Sequence, residues 1–326
     1  MKIFVSKNYS PFYNLVLEEL MIKDDNNKED IVYLYQHNNA VIIGRNQNAH
    51  SEVKFDVLEK ENIDLYRRNS GGGAVYHDLG NLNFSFITKK DERSYEKFLE
   101  PVMEFLKTLN LNVEFKGRND LVVNGSKFSG NAQFIYKDKM VHHGTILFNV
   151  DLTKLSKVLN PSKLKMESKG IKSARQRVTN LLDELEQKIS IQEFIDKFAL
   201  FLKEKYNATD FIIPENYYQK IDEIAEYKKS NDWLLGKNPE FSFFNEAKTD
   251  GGILQIKANV IKNKIDSLQF QGDFLSKADI NEIIPLFLNK NYDKKEIENI
   301  LNSISNLNDY FGTITIDEII SIMFGE

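Results

Sequence analysis

The order of apolar and polar positions divides the chain into elements before any other property is considered. In residues 11–21, Leu15, Val16 and Leu20, continued by Ile22, make an apolar stripe at helical spacing. Ser10 stands where a helix is capped, and Pro11 suits the first turn. Two short apolar runs, 31–35 and 40–44, flank His37-Asn38-Asn39 and read as a β-hairpin. Residues 53–61 have helical composition, and 63–67 read as a strand entering a glycine-rich loop. From 81 to 87, Leu82, Phe84 and Phe86 alternate with Asn81, Asn83 and Ser85, the period of a half-buried strand. A helix is expected over 94–109, with Pro101 able to kink it. Leu121-Val122-Val123 ends in Asn124-Gly125, a strong hairpin signal. Residues 134–136 and 140–150, around 137–139, read as a second hairpin. Asp151 caps a short helix reaching 159, and Ser190 with Glu193 has capping-box spacing for a helix over 190–206.

Beyond these, residues 233–252 are polar and aromatic with little periodicity, and read as the crossing into a second unit. Strands at 253–260 and 265–270 flank a turn at 262–264. Helices follow over 277–288, 294–301 and 315–324, the last with Thr315 and Glu318 as a capping box. Strands followed by helices make a small α+β unit. The expected fold class is α+β throughout. A large catalytic domain of mixed β-sheets with helices, 1–246, is followed by a C-terminal accessory domain, 247–326.

Composition narrows the function. The chain has 326 residues, a length that suits one large and one small domain, and 41% hydrophobic residues supply a core. A net charge of −5 gives no sign of a nucleic-acid-binding face. There is no cysteine, so disulfides, thiolate nucleophiles and Cys-ligated zinc are excluded. No apolar stretch is long enough to span a membrane, and no signal-peptide run follows Met1. A cytoplasmic protein is expected.

Chemistry concentrates in three clusters. Gly71-Gly72-Gly73 follows a predicted strand and the pair Arg67-Arg68. Glycines let a ligand approach main-chain N–H groups, and guanidinium groups bind phosphate or carboxylate. Together they suggest an anion cradle or, more plainly, a flexible turn. It is not a dinucleotide fingerprint, because Tyr76 stands where that motif needs glycine, and no P-loop motif occurs. The second cluster places Asn119 and Asp120 before the Asn124-Gly125 turn and Lys127 just after it. An ammonium there could neutralise an anion, and Asp120 is a hard donor suited to nucleotide-bound Mg²⁺. The third is His142-His143-Gly144-Thr145; neighbouring strand residues face opposite sides, so one histidine at most lines a pocket. His77-Asp78 has no G-x-S-x-G elbow to accompany it, which argues against a hydrolase.

Read in order, these segments resemble lipoate–protein ligases. Arg67-Arg68-Asn69-Ser70-Gly71-Gly72-Gly73-Ala74-Val75-Tyr76-His77-Asp78-Leu79-Gly80-Asn81 is similar to the family's central motif. Asn14-Leu15-Val16-Leu17-Glu18-Glu19 and Val41-Ile42-Ile43-Gly44-Arg45-Asn46-Gln47-Asn48 precede it in family order. Gly117-Arg118-Asn119-Asp120-Leu121, Lys127-Phe128-Ser129-Gly130, His142-His143-Gly144-Thr145, Lys169-Gly170-Ile171-Lys172-Ser173 and Arg175-Gln176-Arg177-Val178-Thr179-Asn180 follow it. The resemblance covers about residues 11–180, and the region beyond 253 resembles the family's accessory domain.

The resemblance implies a biotin/lipoate ligase-like catalytic fold and two steps. Lipoate attacks the α-phosphate of MgATP to give lipoyl-AMP; a lysine of a lipoyl-accepting domain then takes the acyl group. Such acceptors are 2-oxoacid dehydrogenase E2 subunits or the glycine-cleavage H protein. By the same resemblance, Lys127 is catalytic and contacts both acyl group and nucleotide. Arg68, Gly73, Ala74, Val75 and Tyr76 bind ATP. Gly72, His77, Asn119 and His143 line the lipoate site, and Asp120 holds Mg²⁺. Asn69 stands at a position where the family varies. Family members rotate the C-terminal domain between steps, with which Gly251-Gly252 is compatible. The rivals are an ATP-independent octanoyl or lipoyl transferase on the same scaffold, of the kind that needs no cysteine, and a non-catalytic binder of lipoyl domains. A biotin ligase shares the architecture but has a different motif.

Overall fold

The computed structural model describes residues 1–47, 49–90, 95–159, 178–234, 243–261 and 263–325. The motif stretches at 169–173 and 175–177 and the positions 48, 94 and 262 lie outside them. Strands of the large domain are β1 (Lys2–Val5), β2 (Ile31–Tyr35), β3 (Ala40–Ile43), β4 (Asp64–Arg67), β5 (Val75–His77), β6 (Asn81–Lys89), β7 (Val113–Lys116), β8 (Asp120–Val123), β9 (Ser126–Tyr136), β10 (Lys139–Leu147) and β11 (Thr209–Asp210). Its helices are α1 (Pro11–Lys23), α2 (Ala49–Glu52), α3 (Phe55–Lys60), α4 (Tyr95–Thr108), α5 (Leu152–Val158), α6 (Leu181–Glu184), α7 (Ile191–Tyr206), α8 (Glu215–Lys229) and α9 (Asn231–Leu234).

Eight strands form a mixed sheet in the order β11-β1-β2-β6-β10-β9-β8-β7, and a second, small sheet has the order β4-β3-β5. One face of the large sheet packs on α4 and α7 through Val102, Phe105, Leu106, Phe194, Phe198 and Leu202. The opposite face packs on α1 and α8, where Leu17, Met21, Tyr217 and Ile221 meet Tyr33 and Val141. Ile42 of β3 and Tyr66 of β4 join that core, so the small sheet leans on the same face as α1. The far side of the small sheet packs on α2, α3 and α5 through Ala49, Leu58 and Val158. This layering leaves a gap between the two sheets, beside the middle of α1.

Several local readings hold. Asn124 and Gly125 both take positive φ, 50° and 78°, as the tight β8–β9 turn requires. Asp151 and Ser190 cap α5 and α7 by accepting from Thr153 N and Glu193 N. Pro101 is inside α4.

Others are corrected. The runs at 31–35 and 40–43 are not a hairpin: β2 pairs with β1 and β6, while β3 pairs with β4 and β5 in the other sheet. Both runs are buried on both faces, so each needs its own pair of neighbours. The polar side of β6 is not solvated, since Asn81, Asn83 and Ser85 are all buried. They bond instead to Asn83, the Tyr35 carbonyl and Glu18 respectively. Helix α1 is likewise buried nearly all round, Asn14, Glu18 and Glu19 included, rather than along one stripe.

The C-terminal unit is a sheet of β12 (Phe243–Thr249), β13 (Gly252–Ile261) and β14 (Lys264–Gly272) backed by α10 (Lys294–Ser303), α11 (Leu307–Phe311) and α12 (Ile316–Phe324). Its core is Leu254, Ile256, Phe270, Phe287, Ile297 and Ile319. Thr315 and Glu318 form the expected capping box. The sheet takes in residues on both sides of 246/247, because β12 is an edge strand whose mixed polar composition hid it. The helix expected over 277–288 is instead two 3₁₀ turns, Ile280–Glu282 and Ile284–Leu286. Pro285 has no N–H to continue an α-helix and disfavours helical geometry at Ile284. Among the described residues no helix is long and apolar enough to cross a membrane.

Candidate active site

The gap between the sheets is a cavity of about 160 Å³, lined among others by Arg68, Gly72, Gly73, Ala74, Val75, His77, Asn119, Lys127 and His143. Nine of the residues nominated from sequence therefore share one wall system. Tyr76 does not join them. Its side chain turns to the opposite face of β5, into the core with Val41 and Leu58, and its hydroxyl donates to Asn39 Oδ1 at 3.0 Å. Period-two alternation along β5 requires this once Val75 and His77 face the cavity.

The three glycines serve different ends. A Cβ on Gly71 would fall 2.5 Å from Ser276 N and 2.6 Å from Phe274 O, so only glycine lets the C-terminal domain approach there. Gly72 adopts φ +93°, a left-handed conformation that favours glycine. The N–H groups of both are spent on that domain, Gly71 N–H on the Ser276 carbonyl at 3.3 Å and Gly72 N–H on the Phe274 carbonyl at 3.0 Å. The anion-cradle reading is thus corrected for these two. Gly73 alone has open space beside it.

Arg67 and Arg68 also divide their work. Arg67 is buried and donates to the carbonyls of Gly44 (3.2 Å), Arg45 (2.8 Å), Gln47 (2.6 Å) and Leu234 (2.5 Å). It fastens the loop after β3 to α9. Arg68 faces the cavity and donates from Nε to Ser70 Oγ at 3.0 Å and from Nη2 to the Gly71 carbonyl at 2.6 Å. Burial pulls its pKa down to about 10, against the partial compensation of Tyr35 and Glu18 nearby, so it remains a cation at neutral pH.

His143 is the hinge of a buried hydrogen-bond chain. Its Nδ1 is 2.9 Å from Glu18 Oε1, and its Nε2 is 2.6 Å from Ser70 Oγ. Tyr35 and Ser85 hydroxyls also donate to Glu18. His142, one residue earlier, faces the other side of the sheet, stacked 5.3 Å from Phe98 and 3.1 Å from Gln133. There burial holds its pKa down to about 3, with His143 adding to the effect.

Lys127 stands at the exposed rim. The β8–β9 register shifts between Leu121 and Val122, so that Val122 faces Lys127 and Leu121 faces Ser129. The bulge leaves Phe128 in the core and turns Lys127 to the cavity. Its Nζ lies 2.6 Å from Asp120 Oδ1, both side chains about one-third exposed. That oxygen is otherwise without a hydrogen-bond partner, which leaves it acceptor capacity. No group of three or more His, Asp or Glu is clustered among the described residues, so Asp120 fits only a cation that brings other ligands with it.

Sequence reasoning missed Glu18, Tyr35 and His37. Glu18 was visible within the Asn14–Glu19 motif, and a carboxylate amid Leu15, Val16, Leu17 and Leu20 is a signal of a paired buried charge. His37 was absorbed into a presumed turn.

A model described as the lipoyl protein ligase A/B catalytic domain matches residues 10–203, and one described as the bacterial lipoate protein ligase C-terminus matches 238–323. A Mycoplasma pneumoniae protein named "Probable lipoate-protein ligase A" is 37% identical over 330 residues, 99% of this chain and 97% of its own. The P. falciparum protein LipL1, crystallised in complex with lipoate, aligns with a TM-score of 0.83 and 27% identity over 100% of this chain and 99% of its own. A lipoate-protein ligase A bound with ATP aligns with a TM-score of 0.62 and 27% identity over 72% of this chain and 98% of its own. Fold and matches together define the class as a ligase with a mixed-sheet catalytic domain and an α+β accessory domain. The chain belongs to the lipoate–protein ligase family.

Proposed function

We propose that the chain uses MgATP to convert lipoate to lipoyl-AMP and then transfers the lipoyl group to a lysine of a lipoyl-accepting domain, of an E2 subunit or a glycine-cleavage H protein. The observation that carries this is the placement of Lys127 at the rim of a cavity that also holds Arg68, Gly72, Asn119 and His143. In the first step a lipoate carboxylate oxygen bonds to the α-phosphorus while the bond from that phosphorus to the bridging oxygen breaks, releasing pyrophosphate. Negative charge gathers between acyl oxygen and phosphate, where the Lys127 ammonium can neutralise it. Arg68 supplies a second, buried cation on the nucleotide side. In the second step the acceptor amine attacks the acyl carbon, the C–O bond to phosphate breaks, AMP departs and the amine loses a proton.

At about 160 Å³ the cavity is smaller than the roughly 300–1,000 Å³ usual for drug-sized ligands. It suits the acyl chain, and the nucleotide then belongs beyond Gly73, Ala74 and the backbone of Tyr76. Asp120 offers one oxygen to the Mg²⁺ that ATP brings, whose remaining ligands are phosphate and water. The ATP-bound relative supports the nucleotide, and the lipoate-bound relative the acid. We further propose that the chain divides just ahead of β12, a few residues before 246/247, and that the accessory domain leaves the glycine loop between the steps.

The deciding assay incubates the protein with lipoate and an apo-lipoyl domain, with and without MgATP. Modification only with ATP, accompanied by pyrophosphate release, is expected. Modification from an octanoylated carrier protein without ATP would instead establish the transferase reading.

A further inference from the structure

His37 has no role in anything described so far. It follows β2, is 1% exposed, and lines the cavity beside His77 of β5. The Nδ1 atoms of the two rings are 3.1 Å apart, with centroids separated by 5.3 Å. Tyr35 packs on the other side of His37 with centroids 5.2 Å apart. The Nε2 atoms of both histidines are buried and have no hydrogen-bond partner.

The contact fixes the chemistry of the pair. Burial, then the mutual His37–His77 interaction, takes the pKa of His37 well below its usual range. Burial, then Arg68, takes that of His77 down to about 3. Both rings are neutral at pH 7. In a hydrogen bond between two neutral Nδ1 atoms, one ring donates and the other accepts. The donor therefore carries a bare Nε2, and the acceptor carries Nε2–H. The pair leaves one donor and one lone pair unanswered at the wall of a cavity whose apolar lining is Leu15, Ile42, Val75 and Ala132.

An unpaired buried polar group is unfavourable against a hydrocarbon. A saturated alkyl tail leaves both groups unanswered. A dithiolane answers the donor: its sulfur accepts a weak hydrogen bond from the Nε2–H and packs favourably against aromatic rings such as Tyr35. Lys127 and its charge stand at the exposed rim, so the carboxylate of a bound acid stays there and the tail runs toward the buried histidines. We propose that His37 is a specificity-determining residue, which with His77 selects a sulfur-bearing acyl tail over a plain alkyl chain of the same length. The proposal rests on the ligase reading above.

The test measures pyrophosphate release by the full chain with lipoate or octanoate. In His37→Leu the kcat/KM ratio of lipoate to octanoate falls at least threefold, chiefly through a higher KM for lipoate. His37→Gln, which returns a donor and an acceptor, holds the ratio closer to that of the original protein. An unchanged ratio in a folded His37→Leu overturns the proposal. If that variant does not fold, imidazole ¹⁵N spectra of the unmodified protein decide. Lipoate is expected to shift the Nε2 resonances of His37 or His77 where octanoate does not, and equal shifts with both acids overturn it. Failure of the unmodified protein to adenylate either acid would sink the ligase reading, a result distinguishable from both.

Discussion

The Nδ1 atom of His143 lies 2.9 Å from Oε1 of Glu18. The opposite ring nitrogen lies 2.6 Å from Ser70 Oγ, which accepts from Arg68 Nε at 3.0 Å. In the neutral ring, a carboxylate that accepts from Nδ1–H leaves Nε2 as an acceptor for the Ser70 hydroxyl. That directs the Ser70 lone pairs to Arg68. One buried carboxylate on α1 thus orders a cation on the glycine loop. In Glu18→Gln the amide presents a donor among the donors of His143, Tyr35 and Ser85. A loss of about 1–3 kcal/mol in stability is expected, with a rise in the KM for ATP as Arg68 loosens. Thermal unfolding and initial-rate kinetics on the same preparation check it; unaltered values of both would remove Glu18 from this role.

Lys127 is a contrasting case, since its side chain is 38% exposed and that of its ion-pair partner Asp120 33%. Such pairs add about 0–1 kcal/mol to stability. Lys127→Ala is therefore expected to leave the melting temperature nearly unchanged while lowering adenylation by about 10²–10³-fold, the usual effect of losing one charge-stabilising donor. Lys127→Arg should recover only part of the rate, because a planar fork does not reproduce a compact ammonium. Normal pyrophosphate release by Lys127→Ala would exclude its catalytic assignment.

The sequence made the C-terminal capping box, the tight β8–β9 turn and the α7 cap legible because each is written in residues no more than three apart. It also made legible most of the cavity wall, through motifs that lie together only after the β-sheets assemble. What stayed hidden depends on partners distant in the chain. Nothing near 31–43 says that β2 and β3 part company, since β3 finds its neighbours at Asp64–Arg67 and Val75–His77. Helix α8 is mostly polar and buries only Tyr217, Ile221, Ala225 and Lys228, so its periodicity is faint. Tyr76 was nominated with its neighbours although strand alternation already set its side chain on the other face. Glu18 carried in sequence only the signal of a buried carboxylate, and its partner His143, like the partner of His37, emerged once α1 and β5 were placed beside β10 and β2.

Lys228, on α8, is buried with Nζ 2.9 Å from Glu19 Oε2 and 3.4 Å from the centroid of the Trp233 ring. Burial lowers the Lys228 pKa to about 8, with Glu19 opposing the shift. For Glu19, burial raises the pKa, but Lys228 and hydrogen bonds from Lys23 and Asn69 outweigh it and bring it to about 2 from the usual 4.5. A depressed carboxyl stabilises the fold fully above about 4.5, and that contribution is lost as pH falls toward 2. Lys228→Met removes one partner of a buried pair and is expected to cost about 3–5 kcal/mol near neutrality. The deficit should narrow as pH falls below 4.5, because the unmodified protein, whose folded Glu19 stays ionised down to about 2, loses that contribution as its unfolded chain takes up the proton. Adding Glu19→Gln should restore part of the loss. Denaturant unfolding of the single and double variants at pH 3.5 and 7 measures both effects; a deficit independent of pH would mean that Lys228 acts through packing alone.

Gly71 packs the glycine loop of the catalytic domain against the accessory domain. A methyl group there meets Ser276 N and Phe274 O, two backbone atoms that cannot simply rotate away. The same contact region holds the Arg45–Asp279 ion pair and an Asn46 side-chain bond to Ser276 Oγ at 2.9 Å. Gly71→Ala is therefore expected to lift the loop at 274–276 rather than to disturb the core of either domain, at a cost of about 1–3 kcal/mol typical of overpacking. Amide hydrogen exchange should rise at Gly71 and Gly72, whose N–H groups now donate to that loop, while exchange in β10 and β13 stays slow. Asp279→Asn, which weakens a partly exposed pair, should produce the same pattern more faintly. If docking holds back the nucleotide, both variants lower the KM for ATP in the order of their exchange rates. If Gly71→Ala exchanges faster yet binds ATP no better, the glycine N–H groups take no part in holding the nucleotide once the second domain has left them.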